Sequence, residues 1–193
     1  MRPLALTSGT GRARRSLQRR AGEAFEQELS AAFALASARG LAWITKRPVP
    51  IAITRVGEGG AVTGRLTGSP GVDYVGALLG GRSIFLEAKR CSSGTFALDA
   101  IEEPQWAEMK RVGPLGAARV LVVRWQPDTA KGRALLGGRL VAICVVPWSE
   151  CERARDAREA SLSAETLARY ADTTGLHWVD RLASVDPLLR VVK

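Results

Sequence analysis

The sequence predicts an α/β protein, and three stretches carry that expectation. Residues Ser69–Lys89 read as two β-rich runs about Gly80-Gly81, a hairpin signal, because glycine supplies the positive φ that tight turns require. Phe25, Leu29, Ala32, Phe33 and Ala36 recur at helical spacing between Ser16 and Arg39. Ala117–Trp125, with Val120, Leu121, Val122 and Val123 in succession, has the unbroken apolar character of a central strand. A length of 193 residues suits one domain with a substantial core. The expected division is a basic flexible arm over residues 1–15 and a single domain over 16–193.

From Ser16, a candidate N-cap, the first helix is expected to run to Arg39, with Gly40 as its stop. Glu26 lies about 60° from Leu29 around that helix, at the border of the apolar stripe. A carboxylate there is half-solvated, paired with an arginine, or turned into a cleft beside the sheet. Leu41–Thr54 is β-rich but broken by Lys46-Arg47-Pro48-Val49-Pro50. Two prolines bar a regular central strand, so a bent, edge-like segment exposing Lys46 and Arg47 is expected. Gly57-Glu58-Gly59-Gly60 makes a turn and Ala61–Thr67 a return strand, giving a hairpin-like protrusion over 51–69 that carries Arg55 and Arg65. After Lys89, a loop beginning at Arg90 leads to Phe96, Leu98 and Ile101. Pro104 suits the first turn of a helix reaching about Val112, on which Gln105 and Met109 share a face. Arg139–Pro147 reads as a further strand, and Ser149–Tyr170 as charge-dense and helix-prone with Ser163 as a cap. Residues 176–193 close the chain, with His177 packed near Trp178.

The chemistry concentrates in the Ser69–Lys89 hairpin. Acids within apolar strands are costly to bury, so Asp73 and Glu87 need a reason. Glu87 and Lys89 are two apart and project from one face of a strand. If Asp73 pairs across to that face, two carboxylates and an ammonium converge. Two hard oxygen donors favour Mg²⁺, and a lysine beside them can hold a water or meet negative charge developing on a phosphate. Register decides whether they meet. A strict two-residue Gly80-Gly81 turn pairs Asp73 with Ala88 and sends Asp73 to the opposite face. The cluster therefore requires an odd-length turn or a β-bulge between Gly76 and Gly81. Otherwise these are unrelated surface charges on an edge strand.

The net charge is +9, and residues 1–20 hold Arg2, Arg12, Arg14, Arg15, Arg19 and Arg20 with no acid. A basic arm on a modestly basic body suggests phosphate contacts and makes nucleic acid the favoured partner. Arg12, Arg14, Arg15, Arg19, Arg20, Lys46, Arg47, Arg55, Arg65 and Arg90 are the candidate DNA contacts. No apolar run is long enough to span a membrane, and the arginine-rich start lacks a signal-peptide core. Cys91, Cys144 and Cys151 form an odd set without metal-ligand spacing, read as reduced thiols in a cytoplasmic protein. A single histidine argues against zinc sites and histidine-based proton transfer.

Several ordered segments resemble the RecU-type Holliday-junction resolvases of the PD-(D/E)xK nuclease superfamily. These are Gly22-Glu23-Ala24-Phe25-Glu26, Lys46-Arg47-Pro48-Val49-Pro50-Ile51, Asp73-Tyr74-Val75-Gly76 and Phe85-Leu86-Glu87-Ala88-Lys89, followed by Phe96, Leu98, Ile101, Gln105 and Met109. The resemblance covers roughly residues 20 to 126. It implies a mixed central β-sheet flanked by helices, a restriction-endonuclease-like core, with a projecting β-hairpin stalk at about 51–70. It also implies a homodimer making paired, symmetric, Mg²⁺-dependent nicks in four-way DNA junctions, with Mn²⁺ as a substitute. By the same resemblance Asp73, Glu87 and the Ala88 carbonyl bind metal, Gln105 contributes to metal or water positioning, Lys89 stabilises the transition state and Glu26 supports the site from its helix. A bacterial or bacteriophage host, a place at the nucleoid and recombination proteins as partners follow from it too. Two departures stand out. Gly71 replaces a threonine common in the family, exchanging one ligand for water, and the protrusion is several residues shorter. Residues beyond about 150 match weakly and carry no role. The alternatives are another nuclease of the superfamily without junction preference, or a non-catalytic basic DNA-binding protein. Asp73, Glu87 and Lys89 speak against the latter, since acids near phosphates only weaken binding.

Overall fold

The first helix, α1 (Gly9–Ala38), starts before Ser16. Alanine and arginine are good helix formers, and no proline interrupts residues 9–16, so nothing local makes Ser16 a boundary. The computed structural model describes residues 9–68 and 71–172, and only the backbone of 9–15, 17 and 18. The expected arm thus lies partly within α1, while residues 1–8, and the closing segment with His177 and Trp178, lie outside the described residues. The other end of α1 is as expected. Gly40 has φ +66, its N–H donates to the Ser37 carbonyl and that of Leu41 to Ala36, a Schellman ending.

Five strands form the central sheet in the order β1-β4-β5-β7-β8. They are β1 (Ala42–Lys46), β4 (Tyr74–Leu78), β5 (Ser83–Cys91), β7 (Ala118–Trp125) and β8 (Ala142–Pro147). The β5–β7 pair is parallel and the other pairings are antiparallel, so the sheet is mixed. The parallel pair needs a crossover, which contains β6 (Phe96–Ala97) and α2 (Glu103–Val112). Val120 and Val122 of β7 bury into one core, and Leu121, Val123 and Trp125 into another on the opposite face. Burial on both faces explains the uninterrupted apolar run. The first core is closed by Phe25, Leu29, Ala32, Phe33 and Ala36 of α1.

The second core is closed by α2 together with α4 (Trp148–Asp156) and α5 (Ala164–Arg169), and by Leu136 at the end of α3 (Ala130–Leu135). The charge-dense stretch expected as helical is therefore two helices. Between them β9 (Ser161–Leu162) pairs with β6, and Ser163 caps α5 through its Oγ, which accepts from the Thr166 N–H. The β8 strand begins at Ala142, later than Arg139. Cys91, Cys144 and Cys151 are buried free thiols. Among the described residues no helix is long and apolar enough to cross a membrane.

The chain leaves the sheet after Lys46 and returns before Tyr74. Between them β2 (Ile51–Val56) and β3 (Val62–Leu66) form a separate two-stranded sheet whose residues, Ala52 aside, are exposed. The register shifts between Ile53 and Arg55. On either side of that bulge, Ile51, Ile53, Val56, Val62 and Leu66 fall on one face and Arg55 and Arg65 on the other. The protrusion is thus apolar on one side and basic on the other.

Candidate active site

The β4–β5 hairpin resolves the register question. Tyr74 pairs with Leu86, Val75 with Phe85, Gly76 with Ile84 and Ala77 with Ser83. The Leu78 N–H donates to the Arg82 carbonyl at 2.8 Å, leaving Leu79, Gly80 and Gly81 as the loop. Both glycines are at positive φ, 88° and 83°. The loop is odd in length, so the next step of the ladder sets Asp73 opposite Glu87, on one face. Gly76 permits this strand to lie against β1, since a Cβ there collides with the Trp43 carbonyl.

Glu87 is the hub. Its side chain is completely buried. Oε1 accepts from Gln105 Nε2 at 2.7 Å and pairs with Lys89 Nζ at 2.8 Å. Oε2 accepts from the Asp73 N–H at 3.2 Å. Asp73 reciprocates across the strands, its Oδ2 accepting from the Ala88 N–H at 3.0 Å. Burial, then the Asp73 carboxylate, push the Glu87 carboxyl up to about 8, with Lys89 pulling the other way. Two carboxyl groups side by side, only partly offset by one ammonium, thus retain a proton that a bound cation would displace.

Gln105 is committed at both ends. Its Oε1 accepts from the Glu102 N–H at 2.9 Å, a capping interaction at the start of α2. Its position in the first turn thus aims the amide N–H at Glu87. One turn along α2, Glu108 is also buried. Its Oε2 accepts from the Val72 N–H at 2.9 Å, and both its oxygens lie 2.6 Å from Arg47 Nη1. Glu108 is absent from the candidates read in the sequence. The available signal was an acid at i+3 from Gln105 within an apolar helix face.

The remaining candidates separate. Glu26 pairs with Lys46 Nζ at 2.5 Å, from α1 and thus from the sheet face opposite Gln105. Burial and then the charges of Glu26 and Asp73 push the Tyr74 hydroxyl up to about 12, and that hydroxyl has no hydrogen-bond partner among the described residues. Arg47, a candidate DNA contact, is half-buried and engages Glu108. Arg55, Arg65, Arg20 and Arg90 are exposed, and Arg19 makes a loose pair with Glu23 at 3.8 Å. The side chains of Arg12, Arg14 and Arg15 lie outside the described residues.

The donor set suits Mg²⁺, which is held by one or two carboxylates and keeps several waters. Among the described residues no group of three or more His, Cys, Asp or Glu is arranged to hold a metal. In comparison with known proteins, residues 20–130 match the family model described as RecU, recombination protein U. Curated proteins returned no match.

Proposed function

Because the match spans more than half of the chain, the chain belongs to the recombination protein U family, and from that membership we propose a metal-dependent endodeoxyribonuclease that resolves four-way DNA junctions by paired, symmetric nicks. The family implies the resolvase role in recombination. The observation that carries the chemistry is the convergence of Asp73, Glu87 and Lys89, with Gln105 holding Glu87 from α2.

Asp73 and Glu87 would hold Mg²⁺, or Mn²⁺ in its place, with the Ala88 carbonyl beside them. Bound there, the ion supplies Lewis-acid stabilisation of the phosphate and a more acidic water. Lys89 keeps Glu87 in place through its ion pair and lies ready to meet negative charge that grows on the phosphate oxygens. Gln105 orients Glu87 through an amide that cannot ionise. On the stalk, Arg55 and Arg65 form a basic face for the junction backbone. Five aliphatic side chains on the other face favour burial against a second copy, in keeping with two sites acting on two strands.

Mg²⁺-dependent nicking of a mobile four-way junction, against linear duplex of the same sequence, tests the reading. Paired nicks confined to the junction are expected. Equal cutting of both substrates means a nuclease without junction preference, and Mg²⁺-independent or absent cutting overturns the assignment.

A further inference from the structure

The loop that delivers Asp73 to the site is gripped from two sides. Gly71 has φ +73, and a Cβ at that position collides with the Glu108 carboxylate. The carboxylate therefore occupies the space that any other residue would fill. From there Glu108 Oε2 accepts from the Val72 N–H at 2.9 Å, one residue before Asp73. Arg47 closes the grip. Its Nη1 lies 2.6 Å from both Glu108 oxygens, and its own N–H donates to the Asp73 carbonyl at 2.8 Å. The exposed Arg111 adds a weaker contact to Glu108 at 3.6 Å. Gln105 and Glu108 stand one turn apart on α2, so one helix holds Glu87 through the first and the Val72–Asp73 backbone through the second.

We infer that Glu108 and Arg47 are positioning residues, a clamp that sets the Asp73 carboxylate against Glu87 and so tunes the cation site. This rests on reading Asp73 and Glu87 as the cation ligands. An acid buried at 7% side-chain exposure needs its partner, and here both partners lie on the segments that leave for the stalk and return from it. The clamp therefore also roots the stalk at the cation site. Neither residue touches the reacting groups. Their effect passes through the geometry of Asp73, as outer-shell partners of metal ligands act elsewhere.

The test is Mn²⁺ binding to the full chain by calorimetry, with no DNA present. Glu108→Ala and Arg47→Ala should each weaken Mn²⁺ binding by about tenfold or more, within the range typical of outer-shell loss. The double variant should be no weaker than the worse single one, since either substitution opens the clamp. Glu108→Gln retains an acceptor for the Val72 N–H and should lose less, which keeps the test readable if the alanine variant folds poorly. Gly71→Ala should reproduce the defect from the opposite side by displacing the carboxylate. Parental Mn²⁺ affinity in Glu108→Gln and Gly71→Ala, even with lowered melting temperatures, overturns the clamp while a parental isotherm still upholds the cation site. A parental chain that binds no Mn²⁺ overturns both.

Discussion

Glu87→Gln tests the electrostatics of the site without any substrate. In the unfolded chain the Glu87 carboxyl ionises near 4.5, whereas in the folded, metal-free chain it keeps its proton up to about 8. Between those values unfolding releases a proton, so the contribution of Glu87 to stability is greatest below 4.5. It is lost as pH rises and levels off above about 8. At about 1.36 kcal/mol per pH unit the interval amounts to on the order of 5 kcal/mol, and about 3 kcal/mol by pH 7. Glutamine does not titrate and still accepts from Gln105 and Lys89 through its oxygen. It loses the acceptor for the Asp73 N–H, about 1–3 kcal/mol at every pH. At roughly 2–4 °C per kcal/mol for a chain of this size, the melting temperature of Glu87→Gln relative to the parent should climb by on the order of 10 °C from pH 4.5 to pH 8 in EDTA. Groups away from the site cancel between the two proteins, so the difference between the two curves reports Glu87 together with Asp73 and Lys89, which are coupled to it. Adding Mn²⁺ at pH 8 should raise the parental melting temperature and leave the variant unchanged. Parallel curves across the pH range refute the reasoning, because they mean that Glu87 is ionised in the folded chain at pH 4.5 and above.

Asp73→Asn and Lys89→Ala should abolish or cripple junction nicking while gel-shift affinity for the junction in Ca²⁺ stays within about threefold, corresponding to about 0.65 kcal/mol; normal turnover by Asp73→Asn removes it from the site. Arg55→Ala with Arg65→Ala should make the salt dependence of junction binding shallower by up to about 2 in log K against log[salt], and an unaltered slope removes the stalk's basic face from the DNA. Ile53→Asp with Val62→Asp places charges on the apolar stalk face; if that face pairs two copies as proposed, sedimentation should show a parental dimer and a monomeric variant with the circular dichroism spectrum intact, and a dimeric variant or a monomeric parent refutes that pairing. Gly76→Ala forces a methyl group toward the Trp43 carbonyl between β1 and β4, and denaturant melts should show a loss of about 1–3 kcal/mol or more.

What the sequence determined by itself is local. The Phe25–Ala36 stripe, the Gly40 stop, the Pro104 turn and the Ser163 cap act within a few residues, and each lies where spacing and backbone chemistry put it. Glu87 and Lys89 share a face because both belong to one strand. The start of α1 escaped this reading, because Gly9 and Gly11 each cost a helix only about 1 kcal/mol and the arginines and alanine that follow favour it. Tertiary structure decided which side chains meet across elements. The Gly80-Gly81 pair announced a turn but left its parity open, and one residue of parity separates a shared carboxylate site from two unrelated charges. The helical spacing left Glu26 half-solvated, paired with an arginine or turned into a cleft, and the packing of α1 on the sheet paired it with Lys46. Glu108 read as one more acid on a helix; only the docking of α2 against the sheet brought it to Arg47 and to the Val72 N–H. A bulge beside Thr54, invisible in composition, sorted the stalk into an apolar and a basic face. In each case the deciding quantity is a distance between residues far apart in the chain, set by the packing of whole helices and strands.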